Sequence, residues 1–131
     1  IEPTYSDYMG LVFEKVWRDY LTRKNPCGEL PILFTAIGRW WGTDPSKHEQ
    51  VEIDLIANDS DEYMFCECKW RNEKLDLPVL KSLMYKADVF RKNRGRTWFV
   101  LFSKSGFTDA VIEEAAKNND ILLVDLGKIT E

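Results

Sequence analysis

Glu67 and Lys69, two charged residues two positions apart, interrupt a stretch otherwise built for burial, Tyr63-Met64-Phe65-Cys66-Glu67-Cys68-Lys69-Trp70. Alternation along a strand puts Phe65, Glu67 and Lys69 on one face and Met64, Cys66, Cys68 and Trp70 on the other, and the second set reads as core. Charges on a strand that is buried for most of its length cost free energy that packing alone does not require. Asp54 stands thirteen positions before Glu67, in the apolar stretch Val51 to Ala57, where Glu52 shares its face and Ile53 and Leu55 take the other. A hairpin register of odd index sum, such as Ala57 opposite Glu62, puts Asp54 beside Phe65, Glu67 and Lys69 and buries Ile53 with Cys66 and Cys68. The apolar pattern selects that parity.

Two carboxylates a few ångströms apart repel unless positive charge lies between them. Hard oxygen ligands of this kind suit Mg²⁺ or Mn²⁺, which keep several waters. A lysine beside them is a poor ligand, but it can orient or deprotonate a bound water or stabilise charge developing on a phosphate. Together Asp54, Glu67 and Lys69 form a minimal device for hydrolysing a phosphodiester. Glu14, at the margin of an apolar helical face and one turn after Gly10, offers a fourth carboxylate. Plainer readings stand beside these: a Glu67–Lys69 ion pair on a solvated strand, and an i,i+4 pair of Glu14 with Arg18.

The elements that must position these groups follow from periodicity. Met9, Val12, Phe13, Val16, Trp17 and Tyr20 recur at helical spacing, predicting a helix from Ser6 to Thr22 that ends at Asn25-Pro26-Cys27-Gly28. Strands are expected at Pro31–Trp41, Val51–Ala57 and Glu62–Trp70, with turn chemistry at Gly42–Ser46 and Asn58–Asp61. Of Trp40 and Trp41, adjacent on a strand, at least one is expected in the core. Pro78 opens a second amphipathic helix reaching Lys92; Thr97–Phe102 and Ile121–Leu126 are buried strands, with a helix at Thr108–Lys117 between them. The expected fold is α/β, in the order α-β-β-β-α-β-α-β, with a mixed sheet flanked by helices.

The chain has 131 residues, 44% apolar and 31% charged, with a net charge of −4. One domain spanning 1–131 accounts for that length, and its start at Ile1 reads as a piece of a longer chain. There is neither a membrane-length apolar run nor a signal pattern, which points to a cytoplasmic protein that does not engage membranes. Cys27, Cys66 and Cys68 read as small buried apolar side chains rather than disulfide partners. The acidic total hides one local excess: Lys81, Lys86, Arg91, Lys92, Arg94 and Arg96 face only Asp88. The Pro78–Lys92 helix is thereby expected to steer DNA through Lys81, Lys86, Arg91, Arg94 and Arg96, the plain reading being a solvated helix face.

Asp54 followed by Glu67-Cys68-Lys69, in this element order and with Glu14 on the preceding helix, resembles the PD-(D/E)XK superfamily, the restriction-endonuclease-like nucleases. Gly10-Leu11-Val12-Phe13-Glu14, Ile37-Gly38-Arg39-Trp40-Trp41, Glu52-Ile53-Asp54, Glu67-Cys68-Lys69-Trp70 and Phe102-Ser103-Lys104-Ser105-Gly106-Phe107 resemble, more closely, the C-terminal nuclease-like domain of the archaeal-type P-loop ATPase family. The resemblance implies Asp54 and Glu67 as metal ligands for Mg²⁺ or Mn²⁺, Lys69 as a catalytic residue and Glu14 as an accessory acid. It also implies DNA as substrate and an ATPase portion of the parent chain as partner. Ile53 stands where the superfamily carries its named proline, and no G-x-x-x-x-G-K-[ST] occurs, so no ATP site lies in this chain. The same fold could serve as a catalytically silent DNA-binding or regulatory module, or as an oligomerisation piece; a homodimer would suit double-strand cleavage.

Overall fold

The computed structural model of the chain describes residues 5–90 and 95–126, the side chains of residues 5–7 excepted. Helix α1 (Tyr5–Lys24) is followed by a short 3₁₀ turn, strands β1 (Ala36–Asp44), β2 (Glu49–Asp59) and β3 (Glu62–Lys69), helix α2 (Leu77–Phe90), β4 (Thr97–Ser103), α3 (Asp109–Lys117) and β5 (Ile121–Asp125). The five strands form one mixed sheet in the order β1-β2-β3-β4-β5. The first three are antiparallel and the last three parallel, the mixed sheet that the element order predicts.

Each face of the sheet has its own core. Phe13, Trp17 and Leu21 recur every fourth residue of α1 and pack with Leu55, Ala57, Met64, Cys66, Cys68, Val100 and Phe102. Trp17 is fully buried and stacks on Phe102 with ring centroids 4.3 Å apart. On the other face, Leu80, Leu83 and Ala87 of α2 and Val111 of α3 cover Ile53, Ile56, Phe65, Phe99 and Leu101. Both crossover helices lie on that side, where the right-handed rule for β-α-β units puts them.

Three expectations are corrected. The first strand does not begin at Pro31, because the backbone of Phe34 exchanges both hydrogen bonds with the side chain of Asn25, each at 2.9 Å, rather than with a strand. Ile32 and Phe34 are buried as loop residues. The same strand runs on through Gly42 to Asp44, paired from Gly42↔Val51 to Asp44↔Glu49. Gly42 is required there, since a Cβ would meet the Trp40 ring at 2.5 Å. Cys27 is exposed, while Cys66 and Cys68 are buried. Trp40 packs edge-on against Phe90 and Trp41 stays 59% exposed, so one of the pair is core. Among the described residues no helix is long and apolar enough to cross a membrane.

Candidate metal centre

The pairing of β1 with β2 shifts register between Gly38↔Ile56 and Trp40↔Ile53. Two residues of β2, Asp54 and Leu55, therefore oppose the single residue Arg39, which is a β-bulge. This overturns the expectation that Ile53 and Leu55 share a face: Ile53 packs under α2 and Leu55 under α1. It also overturns the burial of Ile53 with Cys66 and Cys68. The β2–β3 ladder keeps odd parity, running from Asp59↔Glu62 to Leu55↔Cys66 beside the bulge. There Asp54 Oδ2 accepts a hydrogen bond from the backbone N–H of Cys68 at 3.0 Å. The acid is thereby fixed against β3 and reaches Glu67, with which it shares a hydrogen bond.

Glu67 is only 4% exposed. Burial first, and then the charge of Asp54, pushes its carboxyl up to about 7, against the opposing pull of Lys86 and Lys69. Lys86 Nζ stands 3.4 Å from Oε2 and Lys69 Nζ 3.7 Å from Oε1, one ammonium group for each oxygen. Glu67, Lys69, Pro78, Val79, Ser82 and Lys86 line a pocket of about 170 Å³ between β3 and the first turns of α2.

Asp54 opens instead on a cleft of about 550 Å³ under α1, shared with Leu11, Glu14, Arg39 and Leu55. Glu14 is drawn toward the acids by its place on α1, and burial followed by the Asp54 charge raises its pKa. Its partner is Arg39, which also reaches Glu52 at 3.4 Å. Arg18 donates to Ile37 O at 3.3 Å, so the i,i+4 reading of Glu14 is replaced by an ion pair across the α1–β1 contact.

Asp54, Glu67 and Lys69 thus meet, with Glu14 close to Asp54 through a cleft that Arg39 bridges. Of the basic group predicted for DNA, the described residues Lys81, Lys86 and Arg96 do not form one patch beside them. Lys81 is exposed on α2, Lys86 turns inward to Glu67, and Arg96 lies over the Trp98 ring at 4.8 Å. Leu101, not Arg96, is the β4 residue opposite Glu67, so Arg96 stands about 16 Å away along the strand. Arg91 and Arg94 lie outside the described residues. Arg39 and the inward turn of Lys86 were missed. A helical wheel would have found the second, since five residues rotate Lys86 about 140° from Lys81, onto the stripe of Pro78 and Ser82.

Among the described residues, no group of three or more His, Cys, Asp or Glu side chains stands ready to hold an ion. Two carboxylates brought together at the bulge, one of them buried and destabilised by the other, do fit a hard divalent cation that completes its shell with water. Asp54 and Glu67 are the residues that would hold it.

A family model for DUF234, archaeal and bacterial proteins of unknown function, matches residues 1–82, well over half of the chain. An uncharacterised protein of Methanocaldococcus jannaschii, MJECL04, is 37% identical over 134 aligned residues covering 96% of this chain. The chain spans only 27% of that relative's length. In fold it is similar to a protein of unknown function, AF1548, with a TM-score of 0.56 and 21% identity over 88% of this chain and 58% of that one. It is also similar to a repair endonuclease from Pyrococcus abyssi, with a TM-score of 0.53 and 14% identity over 96% of this chain and 49% of that one. The fold is restriction-endonuclease-like.

Proposed function

The chain belongs to the DUF234 family of archaeal and bacterial proteins of unknown function, and within it we propose a divalent-metal-dependent DNA endonuclease domain, cytoplasmic and attached to a P-loop ATPase. The observation that carries the reading is the pairing of Asp54 with the buried Glu67 at a bulge that brings them together, against two ammonium groups. Asp54 and Glu67 would hold Mg²⁺ or Mn²⁺, which when bound supplies a Lewis acid and an acidified water. Lys69, on the same strand face as Glu67, orients the attacking water or neutralises the charge that grows on the phosphoryl oxygens. Glu14, held by Arg39, adds negative charge behind Asp54 and acts as the accessory acid. Lys81, exposed on α2, guides the DNA backbone. The ATPase portion rests on the family resemblance, and the longer relative leaves room for it; a homodimer rests on suiting double-strand cleavage.

A second reading has its own support. Glu67 is already engaged by two lysines and Glu14 by an arginine, which is how a catalytically silent DNA-binding or regulatory module would close its site. Incubation with single-stranded, duplex and branched DNA plus Mn²⁺ or Mg²⁺ separates the two. The nuclease cleaves, and Asp54→Ala and Lys69→Ala each reduce cleavage by 100-fold or more, on the order of 3 kcal/mol of transition-state stabilisation. Equal cleavage by all three forms would sink the assigned site, and cleavage by none would favour the silent module.

A further inference from the structure

We propose that Lys86 is a second ammonium group of this centre, which together with Lys69 grips the phosphoryl oxygens of the bond to be cleaved. The inference rests on the nuclease reading and deepens it, by taking Lys86 out of the general backbone-steering group and assigning it to the reacting phosphate.

Three observations carry it. Lys86 follows Ser82 by one helical turn and Pro78 by two, so all three face one pocket, while Lys81 stays exposed. Within that pocket of about 170 Å³ Glu67 is the only acid among the described lining residues, against two lysines. With the charge of Glu67 committed to a divalent cation, Lys69 and Lys86 have no other counter-ion among the described lining residues, and burial makes an unbalanced charge costly. Both ion pairs, at 3.7 and 3.4 Å, are longer than the 2.7–3.2 Å of a tight N–H···O bond, so neither ammonium group is locked to the carboxylate. The first turns of α2, a fourteen-residue helix, form one wall of the pocket. Space several times the roughly 30 Å³ of a water, two ammonium groups and the Ser82 hydroxyl suit a tetrahedral oxyanion.

Inorganic phosphate is the probe that tests the pocket without any metal or turnover. Glu67→Gln keeps the shape of the side chain and frees both ammonium groups; by calorimetry in chelator it is expected to bind phosphate at least tenfold tighter than wild type. Adding Lys86→Met should return affinity to the wild-type level, while adding Lys81→Met should leave it unchanged. Unfolding curves identify any variant that has lost its fold, and Lys86→Arg, which keeps the charge, should retain most of the binding. A parallel arm uses DNA: Lys86→Met is expected to slow single-turnover cleavage at saturating DNA by tenfold or more with DNA affinity within twofold. Equal phosphate binding with and without Lys86 overturns the inference. So does a Lys86→Met variant that cleaves at the wild-type rate but binds DNA more weakly with a shallower salt dependence, the behaviour of a backbone contact. A protein that shows the Lys86-dependent phosphate site and cleaves no DNA would lose the nuclease reading while retaining the anion pocket.

Discussion

Burying Glu67 between Asp54 and two lysines sets the folding equilibrium against the chemistry. Its carboxyl titrates near 7, well above an unfolded value near 4.5. The folded state therefore holds the proton more readily than the unfolded one. Its contribution to stability is complete below pH 4.5 and is lost as pH rises through 7. Glu67→Gln, which mimics the protonated form, is expected to raise the melting temperature in chelator at pH 8, by about 1–3 kcal/mol of stability. The gain should shrink toward pH 5, while metal-dependent cleavage disappears. A melting series in which Glu67→Gln is no more stable than wild type at pH 8 would contradict this account. That the residue at fault is also the residue of interest is the expected pattern for a site built for function.

At the scale of elements, the hairpin β1–β2 and helix α2 have to hold their relative positions for Lys86 to reach Glu67. Asp44, 5% exposed at the end of β1, does part of this: it accepts hydrogen bonds from the Tyr85 hydroxyl of α2 and from the backbone and hydroxyl of Ser46. Those donors, Tyr85 first, hold its carboxyl down at about 2. The stabilisation is present above an unfolded value of about 3.8 and is lost as pH falls toward 2. Tyr85→Phe should therefore melt below wild type at pH 7, with the gap closing between pH 4 and pH 2; a gap independent of pH would show that the bond carries no linkage.

The strand faces of β3 were legible, because Met64, Cys66 and Cys68 alternate with Phe65, Glu67 and Lys69. The bulge in β2 was not, because Leu55-Ile56-Ala57 is apolar on both faces and no pattern of one strand reveals two residues opposing one. Alternation thus gave the right neighbours for Asp54 by an incomplete route. The side-chain partners of Phe34 and the inward turn of Lys86 likewise depend on tertiary contacts that local patterning does not encode.

At the scale of the molecule, element order and strand direction were legible because hydrophobic period and turn chemistry agreed along the chain. Helix α1 alone contributes Phe13, Trp17 and Leu21 to one core. Trp17→Ala is expected to cost about 3–5 kcal/mol, measurable as a shift of the urea midpoint without a change of slope. A smaller cost, near zero, would mean that α1 is not the cover of that face. Loss of α1 would also carry away Glu14 and the wall of the Asp54 cleft, so activity should fall with the folded fraction.

Whether Asp54 and Glu67 form a metal centre is tested without reference to turnover by titrating the protein with Mn²⁺ and following the electron paramagnetic resonance signal of the free ion. A metal centre there gives saturable Mn²⁺ binding that Asp54→Ala abolishes and Lys81→Met leaves intact. Binding of equal strength in Asp54→Ala, or no saturable binding to the wild-type protein, would contradict it.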